Sequence, residues 1–346
     1  MGTPIVDRAT TRGYVLTAPG RIEIDRYTLP DLPSSWARLR FLYCGLCGSD
    51  ISQFEGRPDA DYPISLGHEF VAEVVETGEA VKSVRVGDLV TSDLNFRCGE
   101  CDHCRAGRSH LCRRGQESRF TNRAFAEFGD IDASYLLRLD SAPAPHLALC
   151  EPLSCVLHAK ELVAPVPGER ILLVGAGGLG LCLAFALCEQ SPALAFDVTD
   201  LSAERLAGLA DRISPIGTAL PDPNGEYDVV FDLTGNENGL RAACARVRDG
   251  GRILSMGHPL GEEIDPVFLS NVLPKDVTFA TSYLNGEPSV LRQAARLLSS
   301  EWSPAWDELI EMLPLKDLER AHRAHGSSTR CKTVFDVAGG FDQAPR

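Results

Sequence analysis

The sequence of 346 residues predicts an α/β protein, a doubly wound parallel sheet preceded by a β-rich domain. Three observations lead there. The length exceeds the roughly 250–300 residues at which one hydrophobic core stops growing, so two domains are the default. From about residue 168 buried-strand and helix patterns alternate, as they do where helices cover both faces of a parallel sheet. Residues 12–95 instead show short β-like runs broken by Gly and Pro.

The elements follow in order. ARLRFLYC at 37–44 and HEFVAEVVETG at 68–78 read as strands. Residues 96–125 are polar and rich in Cys, Arg and Gly, and read as a loop. RILLVGAG is then a buried strand and LGLCLAFALCEQ a helix. ALAFDVTD is a strand and SAERLAGLA a helix; YDVVFDLTG is a strand, NGLRAACARVRDG a helix and GRILSMG a strand. VTFATSY, 277–283, is the last strand of the series. A helix, SVLRQAARLLSS, and a strand-like run, CKTVFDV, complete the chain, and a return of this segment to the first domain is expected.

Composition narrows the function classes. Lys and Arg number 34 against 48 Asp and Glu, a formal charge of −14, which repels phosphate backbones and argues against nucleic acid as a partner. Apolar residues make up 44% and charged residues 24%, ordinary for a globular protein. MGTPIVDRATTR lacks the apolar core of a signal peptide, and Val6 stands where a myristoylation signal wants Ser or Thr. Residues 171–188 carry no charge over 18 positions, but their four glycines fit a buried strand and helix better than a membrane span. A cytoplasmic protein without membrane contact is expected. Disulfides are not, so the twelve cysteines are read as metal ligands or buried side chains. Cys44, Cys150, Cys155, Cys182, Cys188, Cys244 and Cys331 fall in the second group.

Three motifs carry chemistry. Cys98, Cys101, Cys104 and Cys112, spaced C-x2-C-x2-C-x7-C, can close a tetrahedral thiolate shell around Zn²⁺ with no open position, which makes a structural site. An iron–sulfur cluster is the weaker rival. His103 and His110 share the loop and are read as exposed. The second motif, G-A-G-G-L-G, offers Gly175, Gly177, Gly178 and Gly180 between a buried strand and a helix, where backbone N–H groups can reach a pyrophosphate. Asp200, twenty residues after Gly180, would accept hydrogen bonds from ribose hydroxyls and repel a 2′-phosphate, which favours NAD over NADP. Asp197 competes for that role, but its place inside the strand disfavours it. The third signal is scattered: Cys47 with Ser49 and Asp50, His68 with Glu69, and Glu151. Together these offer a thiolate, an imidazole and a carboxylate, enough for a catalytic zinc with one position open.

In combination, C-G-S-D at 47–50, G-H-E at 67–69, the four-cysteine loop, E-P-L-S at 151–154, G-A-G-G-L-G and T-D-L-S-A-E-R-L at 199–206 resemble the zinc-dependent medium-chain dehydrogenase/reductase superfamily over essentially the whole chain, its sorbitol and polyol dehydrogenase branch above all. The resemblance implies a GroES-like catalytic domain, 1–153 and 282–346, a Rossmann NAD domain, 154–281, and an active site in the cleft. It makes Cys47 and His68 ligands of a catalytic zinc, with Glu69 or Glu151 as the third, the latter able to act through a water. Asp50 then orients the histidine, Ser49 relays the substrate proton, and Arg205 joins the cofactor residues. Two zincs per chain are implied, one catalytic and one structural, as is a homodimer or homotetramer.

Two departures bear on substrate. Many relatives carry His where this chain has Ser52, and Arg where it has Ser282 before Tyr283. A serine is no base at neutral pH, and a polyol-gripping guanidinium is missing. A sugar, cyclitol, aminocyclitol or other secondary alcohol becomes comparable to a simple polyol. His158 also matches a histidine of relatives and is read as a satisfied buried residue. The rival class is a catalytically inactive nucleotide-binding scaffold, against which Cys47, His68 and Glu151 argue.

Overall fold

The structure, a computed structural model, describes residues 10–56, 62–93, 96–117, 123–207, 225–256, 267–300, 306–324 and 332–342. By its contacts the chain divides into two compact units: Met1–Glu151, Ile310–Ser327 and Thr333–Arg346 form one, Pro152–Leu309 and Ser328–Lys332 the other.

The first unit is built on two antiparallel sheets. In the larger, the strands run in the order Ile310–Pro314, Lys332–Asp336, Trp36–Gly45, Glu69–Thr77, Leu89–Ser92, Leu136–Arg138, and Phe128–Asp132 adds to Trp36–Gly45. Trp36–Gly45 is its axis because its inward residues Ala37, Leu39, Phe41 and Cys44 are fully buried. The expected return of the C-terminus takes the form of an antiparallel pairing, Phe335 opposite Cys44 and Val334 opposite Gly45. The smaller sheet sets Arg21–Thr28, Thr10–Ala18 and Ile64–Ser65 side by side. One core fills this unit: Phe41 meets Phe70 edge to face at 5.1 Å, and Phe125 meets Phe335 at 5.5 Å.

The second unit holds a five-stranded sheet in the order Phe196–Thr199, Ile171–Val174, Tyr227–Asp232, Val247–Ser255, Thr278–Thr281. Every pairing is parallel. Ile171–Val174 is buried on both faces, as the charge-free run predicts, and helix Gly178–Gln190 has nine buried residues in thirteen. The strand order reverses between Ile171–Val174 and its two neighbours, Phe196–Thr199 and Tyr227–Asp232, a switch point of the kind where such sheets take ligands at their carboxyl ends. Among the described residues no helix is long and apolar enough to cross a membrane.

Three expectations shift. The sequence reading returned the chain to the first domain at 282, whereas helix Pro288–Leu298 and Trp306 stay with the second unit and the return comes at Ile310. Val290, Leu291, Ala294, Leu297 and Leu298 bury one face of that helix, and Trp306 packs tilted against Phe185, ring centroids 5.3 Å apart. Helical periodicity says that a face is buried but not against which body. The polar 96–125 segment contains short helices at Asp102–Arg105 and Arg113–Glu117. The helix over NGLRAACARVRDG stops at Arg246, because Val247 is already a buried strand residue paired with Tyr227. Cys331 and the end of SAERLAGLA lie outside the described residues.

Phe335 ties the C-terminal return to the core of the first unit. Phe335→Ala should cost about 3–5 kcal/mol through the cavity it leaves, and chemical denaturation followed by fluorescence measures this. A change under about 1 kcal/mol would contradict the packing just described.

Candidate functional site

Register assembles the first site. Trp36–Gly45 and Glu69–Thr77 pair antiparallel with Gly45 opposite Glu69. Cys47 lies two residues beyond one strand end and His68 one residue before the other, so both project from the same edge as Glu69. Ligand atoms of Cys47, His68 and Glu69 lie within 4.8 Å of one another. Gly45 makes this possible, since a Cβ there would collide with Glu69 Oε2.

Asp50 stands behind the histidine, fully buried in the first turn of helix Gly48–Phe54. Its Oδ2 accepts from Cys47 N–H at 3.1 Å and its Oδ1 from Gly67 N–H at 3.3 Å. Gly67 holds φ +90, and a Cβ would press Phe125 and Cys44, so the chain can make this turn only with glycine. His68 Nδ1 lies 3.7 Å from Asp50 Oδ1, an ion-pair distance. Burial pushes the Asp50 pKa up, but facing His68 and the two N–H donors hold it below 3.8. Burial likewise lowers the His68 pKa, yet the Cys47 sulfur and the Asp50 carboxylate reverse this and raise it well above 6.5. A pocket that stabilises a proton on imidazole so strongly stabilises positive charge in general. A metal ion binding Cys47 and His68 would displace that proton.

The four cysteines form a second cluster, again within 4.8 Å. Cys98–Cys104 is 3.9 Å, Cys101–Cys104 3.5 Å and Cys98–Cys112 3.5 Å, sulfur to sulfur. These are far beyond the roughly 2.05 Å of a disulfide. They match the edge of about 3.8 Å expected when four sulfurs sit about 2.3 Å from a common centre. N–H groups of Cys101 and Cys98 point at Cys98 and Cys112 sulfurs at 3.4 Å, and that of Gly115 at Cys112 at 3.3 Å. The Glu100 N–H leads in lowering the Cys98 thiol to about 6; burial opposes, but the Cys98 and Gly115 N–H groups win and lower Cys112. Burial and neighbouring sulfurs drive Cys104 up to about 12. Four thiols this close cannot all ionise without a cation, and the split marks a donor set that fits one. Tyr135 moors the loop, its hydroxyl accepting from Arg97 N–H and donating to Arg97 C=O, both at 3.2 Å.

In the second unit, Gly175 holds φ +106 and a Cβ on it would lie 3.1 Å from Thr234 Cγ2. Gly180 is equally constrained, because its Cβ would strike the Gly175 carbonyl. Gly177 faces open space and caps helix Gly178–Gln190, so no N-cap side chain covers the first N–H groups of that helix. Asp200 Oδ2 accepts from Ala176 N–H at 2.7 Å and Oδ1 from Ser202 N–H at 2.8 Å, which ties the carboxylate to the glycine loop. Arg205 Nη1 approaches it at 3.9 Å. Asp197 Oδ2 is occupied by the Tyr227 hydroxyl at 2.6 Å.

Glu151, buried at the start of helix Cys150–Val163, is not part of the Cys47–His68–Glu69 group. Ser49 is exposed, and Ser52 turns its hydroxyl back to Gly48 C=O at 3.1 Å. His103 and His110 are half-buried rather than exposed and do not join the sulfur cluster. Of the seven remaining cysteines, Cys44, Cys150, Cys182, Cys188 and Cys244 are buried and Cys155 is half-buried. Sequence reasoning passed over Gly45. Its signal was available: a glycine ending a strand otherwise made of bulky residues marks a close approach.

Residues 33–141 match the alcohol dehydrogenase GroES-like domain. D-altritol 5-dehydrogenase of Agrobacterium fabrum is 34% identical over 249 residues, 69% of this chain and 74% of that protein. The chain belongs to the zinc-type medium-chain dehydrogenase/reductase superfamily, in its polyol branch. Its fold is shared with a Sinorhizobium meliloti 1021 protein described as a zinc-binding dehydrogenase and bound to NADP, at 25% identity and TM-score 0.78 over 94% of this chain and 99% of that one. It is shared too with acetophenone reductase of Geotrichum candidum NBRC 4597 in complex with NAD, at 21% identity and TM-score 0.82 over 99% and 100%. As a medium-chain dehydrogenase the chain is an oxidoreductase of the alcohol dehydrogenase type.

Gly45→Ala should force Glu69 away from Cys47 and His68 while leaving both strands in place. Activity should fall at least tenfold with the melting temperature lowered by only a few degrees, measured by turnover assay and calorimetry. Unchanged activity would mean that Glu69 has no part in the site.

Proposed function

We propose that the protein transfers hydride between a secondary alcohol, a polyol, sugar, cyclitol or aminocyclitol, and NAD, with a catalytic zinc at Cys47, His68 and Glu69 and a structural zinc at Cys98, Cys101, Cys104 and Cys112. The observation that carries the reading is the Cys47–His68–Glu69 group with Asp50 fixed behind it. A thiolate, an imidazole and one carboxylate leave a fourth position for substrate, whereas the four-sulfur cluster leaves none. Glu69 is favoured over Glu151 as third ligand because it belongs to the group and Glu151 does not.

Zinc bound there supplies Lewis acidity to a substrate hydroxyl. The chain's residues do the rest. Asp50 holds the imidazole in orientation and balances positive charge at the site. Ser49, exposed and two residues after Cys47, relays the proton of the alcohol outward, its hydroxyl giving up one proton to solvent as it takes another. Ser52 donates its hydroxyl proton to Gly48 C=O and, being no base at neutral pH, cannot end that relay as the histidine of relatives would. The glycine loop and the uncapped helix start receive the cofactor pyrophosphate. Asp200 retains lone pairs beyond those used by Ala176 and Ser202, and these are available to the ribose hydroxyls. A homodimer or homotetramer in the cytoplasm completes the proposal; exposed Leu273 and Phe279, beside and on the edge strand Thr278–Thr281, suit self-association.

Elemental analysis of the purified chain should give two zincs. Cys47→Ala should lose one of them and at least a thousandfold in turnover while keeping the fold. Cys101→Ser should lose the other and lower the melting temperature by more than Cys47→Ala does. Near-wild-type turnover in Cys47→Ala, measured by NADH absorbance over a panel of polyols, sugars and cyclitols, would overturn the catalytic assignment.

Asp200→Ser should weaken NAD and relax the exclusion of NADP. One charge-assisted hydrogen bond is worth about 1.5–3 kcal/mol, roughly ten- to a hundredfold in affinity. Asp197→Asn, whose partner is Tyr227, should leave the kcat/KM ratio for the two cofactors near wild type. A wild type that prefers NADP, or a preference that follows Asp197 instead, would reverse this assignment.

A further inference from the structure

Asp232 ends the strand Tyr227–Asp232 and is 1% exposed. No cation lies within ion-pair distance of it among the described residues. A buried carboxylate without a counterion is costly unless neutral donors satisfy it, and three do. Oδ1 accepts from Thr234 Oγ1 at 2.7 Å and from Thr234 N–H at 3.2 Å, and Oδ2 from Ser255 Oγ at 2.9 Å. Two of these bonds hold one residue, Thr234, the first by its hydroxyl and the second by its backbone.

Thr234 sits where two glycines leave room. A Cβ on Gly239 would collide with Thr234 Oγ1, and one on Gly175 would lie 3.1 Å from Thr234 Cγ2. Gly175 opens the phosphate loop, and Gly239 lies in helix Glu237–Arg246. In register, Asp232 is level with Val174, the residue before Gly175, on one side and with Ser255 on the other. The carboxylate thus stands at the switch point of the sheet and grips the side chain that abuts the loop.

We infer that Asp232 is a positioning residue for cofactor binding: through Thr234 it holds the backbone at Gly175 in the shape that receives the dinucleotide. This rests on the proposed nucleotide function of the second unit. Thr234 acts by its methyl group against Gly175 and by its hydroxyl toward Asp232, so the two halves of the device are separable.

The test titrates NADH and NADPH into the purified full-length protein by fluorescence, with the melting temperature of each variant recorded free of cofactor. Wild type is measured first; binding of neither cofactor would defeat the nucleotide reading itself. Thr234→Val keeps the methyl group and puts a second methyl where the hydroxyl was, and Thr234→Ser keeps the hydroxyl and loses the methyl. Each should weaken dinucleotide binding about five- to tenfold, raising KM for the cofactor with kcat held within twofold. Asp232→Ala should weaken it at least tenfold. Asp232→Asn should recover to within threefold of wild type, since its amide oxygen can accept from Thr234 and its NH2 can donate to Ser255. If Asp232→Ala does not fold, the two Thr234 variants decide. Cofactor affinity within twofold of wild type in both Thr234 variants, or an Asp232→Asn as damaged as Asp232→Ala, overturns the inference.

Discussion

The pairing of Gly45 with Glu69 is the constraint on which the first unit turns. Two antiparallel strands carry bulky residues into one core, and their register is set by which residues that core accepts. A slip of Glu69–Thr77 by one residue would send its core residues Phe70 and Val74 to the opposite face. It would also separate Cys47 from His68. The site therefore inherits its geometry from the hydrophobic core, and the glycine at the strand end is what the site asks of the core in return.

The two sulfur-bearing clusters show how surroundings divide one element's chemistry. In the loop, four thiols compress one another, and backbone N–H groups decide which ionise first: Cys98 at about 6, Cys104 at about 12. That arrangement is closed on itself. At the other cluster a single sulfur faces an imidazole backed by a buried carboxylate, so the charge is shared among unlike groups. Unlike donors in incomplete number are what leave a coordination position for chemistry.

The second unit solves a different problem, bringing stretches of backbone close to one another at the end of a strand. Gly175 and Gly180 let the loop fold tightly, and Gly177 keeps its surface open. Asp200 holds the loop from one strand and Thr234 from the other, each beside the reversal of strand order. The loop is thus braced on both sides rather than left to glycine's freedom.

Much of this was legible in the residues. Local patterns set strands 36–45, 69–77, 171–174 and 227–232, helix 178–190 and the four-cysteine spacing, because period and ligand spacing are properties of short segments. The glycine loop was readable for the same reason, since strand, turn and helix are contiguous. What lay beyond the sequence were relations between distant segments. Glu69 joins Cys47 and His68 while Glu151 stands outside, and only the register of two strands decides that. Helix Pro288–Leu298 belongs with the second unit because of the surface it meets, not because of its own pattern. The grip of Asp232 on Thr234 was hidden too, since an aspartate in the run YDVVFDLTG reads as an ordinary strand end until its neighbours are in place. Tertiary structure decides these matters because packing selects among side chains that periodicity treats alike.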